Sequence, residues 1–160
     1  MFKVGDKAVY PAYGVGIIEG IEQKEIGNSV LTFYMLRILE NDITIMVPTD
    51  KVDKVGMRPL IGKTEIRKVW KILKDKNVAL DNQTWNRRYR EYMEKIKTGS
   101  VLEVAEVLRD LCVLKNDKEL SFGERKMLET AKNLLVKELA MATSKTQDQV
   151  NAQLDAIYSD

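Results

Sequence analysis

Histidine is absent from the 160 residues, and cysteine occurs once, at Cys112. The first absence removes the commonest general base and the commonest metal ligand. The second rules out an intrachain disulfide framework and leaves any zinc site mostly to carboxylates, an unfavourable donor set. Neither G-x-x-x-x-G-K-S/T nor G-x-G-x-x-G occurs, so the usual phosphate-cradling loops are missing. No apolar run approaches the ~18 residues that span a bilayer. "MFKVGDKAVY" also lacks the apolar stretch of a signal peptide. The expectation is a cytoplasmic, non-catalytic protein with no metal, no cofactor and no membrane partner. An enzyme with a carboxylate dyad is a rival that metal or nucleotide binding would reopen.

What is present divides into two grammars. Apolar residues make up 44% of the chain, enough for a real core. Residues 1–60 read as short β-branched and aromatic runs: "DKAVY", "VGIIEGIEQKEI", "SVLTFYMLRIL" and "DITIMVP". Turn signals separate them at "PAYG", "GNS" and "EN", and Pro48 closes the last. Gly14, Gly16 and Gly20 read as turn or bulge positions. "DKVDKVGMRPLI" reads as a final extended piece. This spacing predicts a small, strongly bent antiparallel sheet of the SH3 or Tudor kind. From residue 61 the period becomes helical. "TEIRKVWKILKDK" sets Ile66, Val69, Trp70 and Leu73 on one face. Thr84 is placed to cap a helix that ends at Gly99. Three capping boxes follow, Ser100 with Glu103, Ser121 with Glu124 and Thr146 with Gln149, each ahead of an amphipathic run. Cys112 is in phase with Leu108 and Leu111 and reads as core. The predicted class is α+β: a bent sheet over 1–60 and five helices over 61–160.

The net charge of +2 conceals a layout. Residues 1–62 hold 7 basic and 8 acidic groups, residues 63–98 hold 11 and 5, and residues 99–160 hold 8 and 11. The basic segment is the electrostatic footprint of a polyanion partner, unless it is only a solvated lysine-rich face. Within it lies "TWNRRYREYMEKIK", residues 84–97. On a helix, Trp85, Tyr89, Tyr92 and Ile96 form one stripe with Met93 beside it, and Arg87 and Arg90 form another face with Arg88 between. Tyr89, Tyr92 and Ile96 are expected in the core. Trp85 sits in the first turn, beside unpaired N–H groups that suit phosphate. Either Trp85 is core as well, or it is a ring that wedges against bases while arginine forks hold the backbone.

"FKVGDKAVYPAYGVGIIEGIE", "RILENDITIMVP", "TWNRRYREYMEKIKTGS", "EVAEVLRDL" and "LSFGERKML" together resemble the CarD family, and its CdnL branch in particular. The resemblance covers nearly the whole chain and implies a bacterial transcription factor. Its Tudor-like module over 1–60 would dock on the RNA polymerase β subunit. Its helical domain over 61–160 would meet promoter DNA at the upstream edge of the bubble, without reading sequence on its own. A tryptophan wedged in the minor groove would stabilise the open complex. Carried onto this chain, the wedge is Trp85, its phosphate partner is Arg87, and Met93 and Phe122 belong to the surface that presents it. Arg88, Arg90, Arg125 and Lys126 are basic positions on the same segments. Met46 and Pro48 lie on the strand offered to polymerase. Some members have arginine where this chain has Met46, so a more apolar dock is implied here. A monomer is expected. The remaining rival is an RNA-binding module of the translation machinery, which would use the same basic stripe and bind RNA without polymerase.

Overall fold

β-branched and aromatic runs separated by turns shape the first part of the chain. In the computed structural model, which describes residues 1–78 and 84–159, β1 (Lys7–Tyr10), β2 (Gly14–Ile26), β3 (Ser29–Ile38), β4 (Thr44–Pro48) and β5 (Arg58–Pro59) form one sheet. Its strand order is β4-β3-β2-β1-β5, with every pairing antiparallel. Ala8, Ile18, Tyr34, Leu36, Ile38 and Val47 point to one face and close a small core with Met57. The β2–β3 register shifts between Ile18 and Gly20, leaving Glu19 as the extra residue of a bulge that bends the strand. Gly14 leaves the Pro11–Tyr13 turn with φ 100°, a backbone that favours glycine. Gly16 has a different reason: a Cβ there would lie 2.8 Å from the Arg37 carbonyl oxygen and from Leu36 Cδ1. It is a close-approach position, not a turn or bulge.

"DKVDKVG" corrects the extended reading of that segment. It forms a short 3-10 turn, Thr49–Lys51, and one helical turn, α1 (Val52–Val55), and only Arg58–Pro59 is strand. Gly56, at φ 80°, ends α1 by donating its N–H toward the Asp53 and Val52 carbonyls. The described residues thus hold six α-helices, one in the first unit and five in the second.

The chain divides into two compact units, Met1–Leu60 and Ile61–Asp160. In the second, α2 (Lys63–Lys74), α3 (Trp85–Lys97), α4 (Val101–Asp117), α5 (Phe122–Thr143) and α6 (Gln147–Tyr158) pack around α4, the helix that meets α2, α3 and α5. Val104, Ala105, Leu108 and Leu111 from α4 meet Val69 and Leu73, Tyr92 and Ile96, and Leu135 and Leu139 in one buried cluster. The Tyr158 hydroxyl donates to the Leu73 carbonyl and ties α6 to α2. The boxes at Ser121 and Thr146 are complete. The box at Ser100 does not form, because the Ser100 N–H that Glu103 would accept is donated to Thr98 Oγ1 at 3.2 Å. Thr84 precedes α3 without a side-chain cap bond. The "LDNQ" ahead of it lies outside the described residues. No described helix is long and apolar enough to cross a membrane.

Candidate nucleic-acid interface

Two helix starts meet at this site. The first turn of α3 brings Trp85, and the first turn of α5 brings Phe122, Gly123 and Glu124. The Trp85 indole lies flush on Gly123: a Cβ added there would sit 2.8 Å from Trp85 Nε1 and 3.3 Å from Cε2 and Cζ2. Only glycine leaves room for the ring at that distance. Trp85 is therefore half-buried at the margin of the helical core. Its ring meets Tyr89 edge-on, with centroids 5.8 Å apart, and Tyr92 at 6.5 Å.

Arg88 also meets the ring. Its guanidinium lies 5.5 Å from the Trp85 ring centroid and donates from Nη2 to Glu124 Oε2 at 3.2 Å. Glu124 is 1% exposed, so this is an interior ion pair. The carboxylate is well satisfied. Its Oε1 accepts from the Ser121 N–H at 2.9 Å, and the ammonium of Lys118 lies 3.3 Å away. Burial pushes the Glu124 carboxyl up, but the bonds from Ser121 and Lys118 outweigh it and hold its pKa below the ordinary value. Glu124 thus does three tasks: it caps α5, neutralises Arg88 and, through Arg88, fixes the indole. Burial also pushes the Tyr92 phenol up to about 12, so it stays neutral beneath the site.

The residues singled out in the sequence therefore separate. Arg87, Arg90, Arg125 and Lys126 are exposed. Arg88 is turned inward and is not a free phosphate fork, because the buried Glu124 carboxylate needs a cation. Met93 is half-buried against the core. Tyr92 and Ile96 are buried, whereas Tyr89 is 46% exposed, which corrects its assignment to the core. It sits one turn above Trp85, on the part of the stripe that the bundle does not cover. Phe122 is 70% exposed, with Lys126 Nζ 5.6 Å from its ring. It is the most solvent-facing ring of the three. Gly123 and Glu124 were missed as site residues. The local signals are a glycine inside the first turn of an otherwise good helix, in "SFGERKML", and the capping box that places Glu124 beside it.

In the first unit, Met46 and Pro48 lie on β4, an edge of the sheet. They face away from Val47, opposite Met35 and Phe33 on β3. Met46 is 38% exposed and Pro48 half-buried.

Two family models account for the chain: the CarD-like/TRCF RID domain over residues 2–61 and the CarD C-terminal domain over residues 68–155. A relative from Bacillus subtilis (strain 168), described as putative transcription factor YdeB, is 36% identical over 154 residues, which is 95% of this chain and 99% of the relative. The chain belongs to the CarD family. Two solved structures match shorter spans. CdnLNt from Myxococcus xanthus is 52% identical and covers 39% of this chain and 89% of its own, with a TM-score of 0.34. The 72-residue N-terminal domain of Myxococcus xanthus CarD is 39% identical and covers 37% and 79%, with a TM-score of 0.33. The indole seat, built from α3 and α5, lies within the span of the CarD C-terminal model.

Proposed function

We infer that this CarD-family chain is a transcription regulator that binds the RNA polymerase β subunit and stabilises the open promoter complex. Its match to the CarD-like/TRCF RID domain, and its relative described as a putative transcription factor, support a polymerase partner. The dock is the β4 edge around Met46 and Pro48, where main-chain groups can extend a partner's sheet. The DNA contact is the α3–α5 start. Arg87, Arg90, Arg125 and Lys126 grip phosphate there, and Trp85, with the exposed rings of Tyr89 and Phe122, is the apolar wedge in the minor groove.

One observation carries this reading: a half-buried indole seated against Gly123 and Arg88, with exposed cations on the same two helices. A ring held in place beforehand loses little freedom on binding, so more of its contact energy reaches the complex. Unstacking a base step costs a few kcal/mol, and an aromatic–base stack returns about 1–3 kcal/mol. Since about 1.4 kcal/mol is a factor of ten, one ring suffices to shift the closed–open balance. Arg88 is here a positioning residue and Arg87 a phosphate contact.

The test is the lifetime of open complexes formed with Trp85→Ala and with Arg87→Ala. Trp85→Ala is expected to shorten it about tenfold while polymerase binding is kept. Arg87→Ala is expected to act in the same direction and to lose its effect as salt rises, because its contribution is electrostatic. Wild-type lifetime from a folded Trp85→Ala protein would overturn the wedge. Tight binding to structured RNA without polymerase would favour a translation role instead.

A further inference from the structure

The helical unit carries a second aromatic–basic surface that shares no residue with the Trp85 seat. A groove of about 740 Å³ runs between α2 and α6. Arg67, Lys71 and Lys74 line it from α2, with Trp70 among them, and Gln153 and Ile157 line it from α6. Positions 67, 71 and 74 recur at helical spacing and make a stripe about 10 Å long. Among the described residues, no carboxylate lines the groove. Among the described residues none is paired with these three cations, whereas Lys95, Lys118 and Lys132 elsewhere in the unit each have an acidic partner. Trp70 is half-buried, packed on the core and open to the groove.

This combination selects its occupant. Three cations without a carboxylate ask for a polyanion. An indole between them asks for a polyanion that carries flat, stackable groups. Duplex DNA hides its base faces, and an acidic peptide has none. We propose that the α2–α6 groove binds single-stranded nucleic acid, with phosphates on Arg67, Lys71 and Lys74 and an unpaired base against Trp70. The inference rests on the reading above only for the presence of unpaired DNA beside the protein, and its test needs neither polymerase nor promoter.

The chain contains two tryptophans, Trp70 and Trp85. In full-length Trp85→Phe protein the remaining indole is Trp70, and its emission reports the groove directly. Titration with a twelve-residue thymidine oligonucleotide is expected to quench that emission. The matching duplex and polyglutamate are expected to leave it unchanged. With three phosphate contacts the affinity should fall about 20-fold between 50 and 200 mM salt, from the single-strand slope of about −0.7 per contact. Adding Arg67→Gln, Lys71→Gln and Lys74→Gln should abolish both the quench and the salt slope. Circular dichroism checks that this variant is folded, and the single changes Lys71→Gln and Lys74→Gln serve if it is not. Absence of quenching would overturn the proposal. So would equal quenching by duplex or polyglutamate, or quenching that survives the glutamine changes. None of these results bears on the open-complex lifetime of Trp85→Ala, so the two readings fail separately.

Discussion

Gly123 shows how one missing methyl group sets the site. A Cβ at that position would meet Trp85 Nε1 at 2.8 Å, too close for both to stay. In the first turn of a helix, glycine to alanine is otherwise favourable by up to about 1 kcal/mol. Gly123→Ala should therefore leave folding stability within about 1 kcal/mol of wild type while it pushes the indole off its seat. In a Trp70→Phe background, emission from Trp85 is expected to shift to the red as the ring gains water. Unchanged emission would mean that the indole is held by something other than Gly123. Trp85→Ala tests the same seat from the other side. A half-buried tryptophan should cost less than the 3–5 kcal/mol of a fully buried one, about 2 kcal/mol. Thermal melting checks this, and a loss near the upper figure would make Trp85 a core residue.

Helix ends are the elements on which the site is assembled, and Glu124 links them. Removing its charge strands Arg88 in a mostly buried position, so Glu124→Gln should cost about 2 kcal/mol at neutral pH. The sign of the pH effect follows from the lowered pKa. The stabilisation is fully present above the unfolded value of about 4.3 and is lost as pH falls through the lower folded value. The gap between wild type and Glu124→Gln should thus be flat from pH 5 to 8 and begin to narrow below about pH 4, as denaturation at each pH would show. A gap that is unchanged at pH 3 would remove the carboxylate from the account.

Elements also show what the sequence could and could not reveal. The Ser121 and Thr146 boxes were legible because a capping box is local, set by residues three apart. The Ser100 box was equally legible and does not form, since Thr98 captures the N–H first. The β-branched and aromatic runs of β2, β3 and β4 are visible between their turn signals, but the helical turn in "DKVDKVG" is not, because four residues are too few to show a helical period. The basic, aromatic start of α3 could be found by inspection. That Arg88 turns inward could not, because its partner lies 36 residues away on another helix. The Trp85–Gly123 contact is non-local in the same way.

Across the whole molecule, the basic charge and the apolar edge belong to different units. The β4 edge in Met1–Leu60 carries Met46 in the open, and the cations gather in Ile61–Asp160, around residues 63–98. Changes at the two surfaces should therefore be separable. Met46→Ala is expected to weaken binding to the polymerase β subunit about tenfold, the loss of roughly 1.4 kcal/mol of apolar contact, with the melting midpoint unchanged because the side chain is exposed. A two-component binding assay reads this, and unchanged affinity would take Met46 out of the interface. The same change should leave the Trp85 seat intact.

On the proposed function, a seated indole, and not basic charge alone, holds promoter DNA open. The most direct measurement is the half-life of open complexes after a heparin challenge, with the full chain as wild type and as Gly123→Ala at saturating concentration. Gly123→Ala alters no charge and no outward cation. Its complexes are expected to decay about tenfold faster than those with wild type, with polymerase binding unchanged. Equal half-lives, with the Trp85 ring shown to be displaced, would contradict it.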